Sequence, residues 1–109
     1  MYKKLSVLIP VYNEKNTIET CLKKVLNADI GNLELEVIIS DNNSDDGTKE
    51  VLAKINDQRV KILYRKENGG KGANIKNALT EANGDLILFQ DGDLEYSPND
   101  YSALLDPFF

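Results

Sequence analysis

The chain has 109 residues, 41% of them hydrophobic and 28% charged, which gives room for one globular domain and no more. Its 18 acidic residues outnumber 13 basic ones for a net charge of −5, which argues against non-specific nucleic-acid binding, a function that needs a basic face. Histidine is absent and Cys21 is the single cysteine, which excludes a His base, a His metal ligand, an internal disulfide and a thiolate zinc cluster. Leu5–Val11 is apolar apart from Ser6 and Pro10, the pattern of a strand buried on both faces of a parallel sheet. Pro10 falls at its end, where a missing N–H is tolerated. Ile18, Cys21, Leu22, Val25 and Leu26 follow at helical spacing. Asn16 and Glu19 stand as a capping box, and Cys21 lies on the buried stripe as a packing residue. Leu35–Ile39 predicts a second strand running into Ser40 and Asp41. The polar turn Asn42–Gly47 leads to a short helix with Val51, Leu52 and Ile55 on one face. Val60–Tyr64 predicts a third strand, placed at an edge by its charged Lys61. Asn68–Gly72 is a glycine-rich loop entering a helix whose inward positions are Ile75, Ala78, Leu79 and Ala82, capped by Asn83 and Gly84. Asp85–Gln90 predicts the fourth strand, and Pro98 opens a last helix with Tyr101, Leu104 and Leu105 inward. The order β-α-β-α-β-α-β-α predicts an α/β fold, a parallel sheet with helices on both faces.

Open α/β sheets bind ligands beyond the carboxyl ends of their strands, and four such ends here carry polar residues. After the fourth strand come Asp91, Gly92, Asp93, Leu94 and Glu95. Two carboxylates held close repel by about 4 kcal/mol at an effective dielectric near 20. A divalent cation converts that repulsion into attraction, and Mg2+ is typically held by one or two carboxylates plus substrate phosphates. The same Asp-Gly-Asp is also ordinary turn chemistry. After the first strand, Tyr12 offers a ring face for stacking a base. Asn13 and Glu14 offer hydrogen bonds to ribose or base edges, or simply an acidic start to the next helix. After the second strand, Asp41 and Asn42 stand where a base-reading pair would. A calcium loop over Asp41, Asn43 and Asp45 fails, because Asp46 stands where an EF-hand needs Gly and Leu52 where it needs Glu. The glycine-rich loop can cradle phosphate with backbone N–H groups, or be a turn with one solvated lysine. Gly72 after Lys71 excludes a Walker A motif, and Ile75 excludes G-x-G-x-x-G.

These blocks occur together as Pro10-Val11-Tyr12-Asn13-Glu14, Asp41-Asn42-Asn43-Ser44-Asp45-Asp46-Gly47-Thr48, Asn68-Gly69-Gly70-Lys71-Gly72, and Asp91-Gly92-Asp93-Leu94-Glu95 followed by Pro98. In this order the chain resembles, over essentially its whole length, the family 2 glycosyltransferases of the GT-A fold, and above all their dolichyl- and polyprenyl-phosphate hexosyltransferase branch. The resemblance implies a Rossmann-like nucleotide-diphospho-sugar transferase fold, incomplete at the C-terminus, with residues 1–109 as its nucleotide-sugar-binding part. It implies that Pro10, Tyr12, Asn13 and Glu14 line the nucleoside pocket and that Asp41 and Asn42 contact the base. Asp91 and Asp93 would serve catalysis by holding Mg2+ or Mn2+ against the donor diphosphate. Glu95 would complete the metal shell, and Lys71 would support the diphosphate. Asn42 stands where many members have Asp. An amide donates and accepts whereas a carboxylate only accepts, so uracil against guanine stays open.

The implied reaction is metal-dependent, inverting transfer of a hexosyl unit from a nucleotide-diphosphate sugar to an acceptor, foremost a polyprenyl phosphate and otherwise a glycan. The alternative is a non-catalytic nucleotide-sugar-binding fragment or an inactive remnant. A sugar-phosphate nucleotidyltransferase would carry a glycine-rich, arginine-containing loop where Pro10–Glu14 stand. The absence of an apolar run of membrane-spanning length and of a long apolar signal core predicts a cytoplasmic protein, which a lone cysteine fits. In a full-length form, the membrane's cytoplasmic face would be met only through the lipid acceptor.

Overall fold

The computed structural model describes residues 2–92 and 101–105. Its strands are β1 (Lys4–Val11), β2 (Glu34–Asp41), β3 (Val60–Tyr64) and β4 (Leu86–Phe89). They form one sheet in the order β3-β2-β1-β4, and each neighbouring pair is parallel. The helices are α1 (Ile18–Leu26), α2 (Thr48–Ala53), α3 (Gly70–Leu79) and α4 (Tyr101–Leu105). Among the described residues no helix is long and apolar enough to cross a membrane.

The apolar run of β1 suits an inner place in the sheet, where, like β2, it is paired on both sides and covered on both faces. Val7, for example, lies opposite Val37 of β2 and Val7 also faces Leu88 of β4. Leu5, Val7, Ile9 and Val11 point to one face, where they pack with Ile18, Cys21, Leu22 and Val25 of α1, Leu52 of α2, and Tyr101 and Leu105 of α4. Leu8 and Ile38 point to the other, against Ala78 of α3. The chirality of crossovers explains the split. From β1 to β2 to β3 the chain steps one way, placing α1 and α2 together. From β3 to β4 it returns past β2 and β1, so α3 covers the opposite face. The predicted α/β fold, a parallel sheet with helices on both faces, is present, and β3 is an edge strand as its Lys61 implied.

Several local expectations are corrected. α1 has Thr17 as its N-cap, with no side-chain cap, and not the box of Asn16 and Glu19. The Thr17 and Ile18 N–H groups donate to the Glu14 carbonyl at 3.1 and 2.9 Å instead, because loop contacts fix the chain at Glu14 first. α2 ends at Ala53, leaving Ile55 beyond the helix yet packed on the core. α3 has Thr80 as its C-cap. Asn83 and Gly84 turn the chain into β4, donating their N–H groups to Glu36 Oε2 and Ser6 Oγ at 2.9 and 2.8 Å. On α3 the inward position belongs to Asn74, 2% exposed, while Leu79 is 43% exposed. In α4, Tyr101 and Leu105, one turn apart, are buried and Leu104 is not. Pro98, the expected opener of this helix, lies outside the described residues.

Candidate functional site

β1 and β4 are neighbours at which the strand order reverses: α1 leaves β1 on one face while α3 reaches β4 from the other, and at such a reversal the carboxyl ends of two strands part to open a crevice. A cleft of about 240 Å³ lies there, lined by Pro10, Val11, Tyr12 and Glu14 after β1, Asn42 after β2, Asn68, Lys71 and Asn74 at the start of α3, and Asp91 and Gly92 after β4. Of the residues singled out from the sequence, Pro10, Tyr12, Glu14, Asn42, Lys71 and Asp91 are on this wall. Asn13 and Asp41 are not among its lining residues, and Asp93 and Glu95 lie outside the described residues. Asn68 opens the glycine-rich loop read as a phosphate cradle, whereas Asn74 carries no expectation from the sequence. For Asn74 a signal was present: it stands four residues before Ala78, on the inward stripe of α3, where an apolar residue is expected.

Asn13 and Asp41 weld the loops that shape the cleft. Asn13 adopts a left-handed φ of 53°, which Asn tolerates better than most residues. Its Nδ2 donates to Asp45 Oδ1 at 3.0 Å, and the Asp45 N–H donates back to Asn13 Oδ1 at 2.9 Å. The Asn13 N–H donates to Ser44 Oγ at 2.8 Å, and the Glu14 N–H to Thr48 Oγ1 at 3.0 Å. Asp41 is fully buried and accepts from both the hydroxyl and the N–H of Ser44. Asp46 accepts from the Thr48 hydroxyl and N–H, which hold its carboxyl below the usual range. The polar block from Asp41 to Thr48 is thus a set of braces between the β1 and β2 loops. Tyr12, 43% exposed, is carried on this frame with its ring open.

Asn42 is 3% exposed. Its Nδ2 donates to Asn68 Oδ1 at 2.8 Å and to the Gly70 carbonyl at 3.2 Å. Its Oδ1 accepts from Arg65 Nε at 3.1 Å and from the Gly69 N–H at 3.3 Å. Asn74 ties α3 to the strand ends, donating to the Ser40 carbonyl at 2.7 Å and accepting from Ser40 Oγ at 2.6 Å.

On the β4 side, Gln90 is buried and its N–H donates to the Leu8 carbonyl. The Tyr101 hydroxyl donates to Gln90 Oε1 at 2.8 Å. Burial first, and the neighbouring Cys21 second, push this phenol well above its ordinary value, so it stays a donor. Cys21 Sγ and Gln90 Nε2 both reach the Asp91 carbonyl, at 3.5 and 3.2 Å, which fixes the backbone where the acidic block begins. The Asp91 side chain is 20% exposed, and its Oδ1 meets Lys71 Nζ at 2.6 Å. Among the described residues no group of three or more His, Cys, Asp or Glu side chains stands ready for a metal ion. The one described carboxylate of the block, that of Asp91, is paired with the Lys71 ammonium.

The chain matches the family profile described as Glycosyl transferase family 2 over residues 6–109. It is 35% identical over 105 residues to the GalNAc(5)-diNAcBac-PP-undecaprenol beta-1,3-glucosyltransferase of Campylobacter jejuni, covering 94% of this chain and 33% of that protein. It is 30% identical over 104 residues to the dolichol-phosphate mannosyltransferase of Pyrococcus furiosus, covering 94% and 29%. A mannosyltransferase of Pyrobaculum calidifontis, solved in complex with GDP-Man and Mn2+, superposes with a TM-score of 0.80 at 28% identity, covering 92% of this chain and 30% of the other. The chain therefore spans about a third of the length of these relatives.

Proposed function

The chain belongs to glycosyl transferase family 2, and from that premise we propose that residues 1–109 are the nucleotide-sugar-binding part of a metal-dependent hexosyltransferase acting on a polyprenyl phosphate. The observation that carries this reading is the meeting of Tyr12, Lys71 and Asp91 in one cleft at the sheet's reversal point. A nucleoside diphosphate needs a stacking surface, a cation for its phosphate oxygens and a hard anionic ligand for its metal, and the cleft combines all three.

In this reading Tyr12 stacks on the base, Pro10 closes the wall beneath it, and Glu14 accepts from ribose hydroxyls. Asn13 and Asp41 hold the loops that carry these groups, and Asn42 forms the wall towards the glycine-rich loop. Lys71 leaves Asp91 for the diphosphate oxygens, freeing the carboxylate. Asp91, with Asp93 and Glu95, would hold Mg2+ or Mn2+, which when bound would stabilise charge developing on the departing diphosphate. A polyprenyl phosphate oxygen is already anionic and attacks without a general base, whereas a glycan hydroxyl requires one. The Campylobacter and Pyrococcus relatives, named for transfer to undecaprenol-linked and dolichol-phosphate acceptors, support a lipid-linked acceptor.

The test is calorimetric titration of UDP and GDP with and without Mn2+, followed by incubation of the matching donor sugar with a polyprenyl phosphate. Metal-dependent binding of one nucleotide and a glycolipid product are expected. Binding without product would favour the non-catalytic alternative, and no binding of either nucleotide would remove the donor-site reading.

A further inference from the structure

We propose that Asn42 is a positioning residue that clasps the glycine-rich loop and so sets Lys71 against the donor diphosphate, leaving choice of base to other groups. The proposal rests on the donor-site reading above and departs from the base contact expected of this position. A primary amide has two N–H donors and two acceptor lone pairs. All four are committed here, to Asn68, Gly70, Arg65 and Gly69. With 3% exposure the group has no spare polar surface to offer a base edge, and turning to one means abandoning a buried partner.

Three of the four partners belong to the segment directly preceding Lys71. It lies at the mouth of α3, where the helix's own bonding has only begun. Gly69, Gly70 and Gly72 have no side chains to pack, and Gly70 holds a left-handed φ of 86°. Asn68 Oδ1 also accepts from the Gly70 N–H at 2.9 Å, and Arg65 reaches the Ala73 carbonyl at 3.3 Å. Together these bonds form a closed ring around the loop with the Asn42 amide at its hub. An amide fits the hub and a carboxylate does not, since the two donors face the oxygens of Asn68 and Gly70.

The experiment measures, in the full chain with Mn2+, the affinity of UDP and GDP against that of UMP and GMP, for wild type, Asn42→Ala, Asn68→Ala, Lys71→Ala and the Asn42→Ala/Lys71→Ala double variant. Asn42→Ala is expected to weaken the preferred diphosphate about tenfold or more, the scale of one hydrogen bond to a charged group. The monophosphates and the UDP-to-GDP ranking should stay unchanged, and little further loss should appear when Lys71 is already Ala. Asn68 is exposed, so Asn68→Ala should fold and show the same diphosphate-selective loss, which decides the matter if Asn42→Ala does not fold. An equal loss for mono- and diphosphate, a changed base ranking, or full additivity with Lys71→Ala would overturn the positioning role while leaving the donor site intact. A wild-type chain that binds neither diphosphate would overturn the donor-site reading and this proposal with it.

Discussion

A methyl group at Gly84 would sit 2.6 Å from the backbone nitrogen of Ser6 and 2.9 Å from the Leu86 carbonyl. Neither atom can swing aside, so Gly84→Ala must part the start of β4 from β1. We expect a loss of about 1–3 kcal/mol, read as a lower urea midpoint. From the sequence this glycine looked like a helix cap, because the close approach that demands it comes from a strand 78 residues earlier. Glu36, beside it, predicts a pH effect. Burial alone would raise its pKa, but hydrogen bonds from Ser6 and the Asn83 N–H, with the Lys4 charge, outweigh that and hold it below 4.5. A depressed folded-state value gives stability that is full above the unfolded value and is lost as pH falls through the folded one. Glu36→Gln should therefore flatten the fall of Tm below about pH 4.5, and an unchanged acid limb would show that the carboxylate contributes nothing. The pairing of Asn13 with Asp45 was equally hidden: each residue reads as a turn former alone, and only the fold brings them face to face.

At the scale of the element, α1 and the three strands around it were readable because local periodicity and burial agree there. Ile18, Cys21, Leu22 and Val25 repeat at helical spacing and all four are buried. α3 was less legible. Its inner face is shared between Ala78 and Asn74, and the latter is inward because it satisfies the backbone and hydroxyl of Ser40 at the end of β2. Asn74→Ala should cost about 1–3 kcal/mol by leaving those buried groups without their partner. Asn74 also lines the cleft, so nucleotide affinity should fall in the same variant. A variant with wild-type denaturation and wild-type binding would mean that α3 is held by apolar contacts alone.

For the whole molecule, alternation of strands and helices foretold a parallel sheet but not its order. The order β3-β2-β1-β4 is what brings the ends of β1 and β4 together, and strand order is set by packing between distant segments. The candidate site was therefore legible as a set of strand-end motifs, while its division into wall and brace was not. The same division predicts that Asp91→Asn removes the Mn2+-dependent part of nucleotide binding, because the described carboxylate that faces Lys71 across the cleft would lose its charge. A Mn2+ dependence equal to wild type in a titration of that variant would place the metal elsewhere.

The central place of β1 has a kinetic meaning. All eight of its residues pair with β2, so its amides bonded on that side reach deuterated water only when the inner ladder of the sheet opens. Those of β4, which among the described strands is paired with β1 alone, are released by fraying at the margin. A nucleotide spanning Tyr12 and Asp91 ties the slow partner to the fast one. Its grip should appear as slower deuterium uptake over Leu86–Phe89 while β1 at first looks untouched. The sheet's margin, not its centre, would report that the cleft is full.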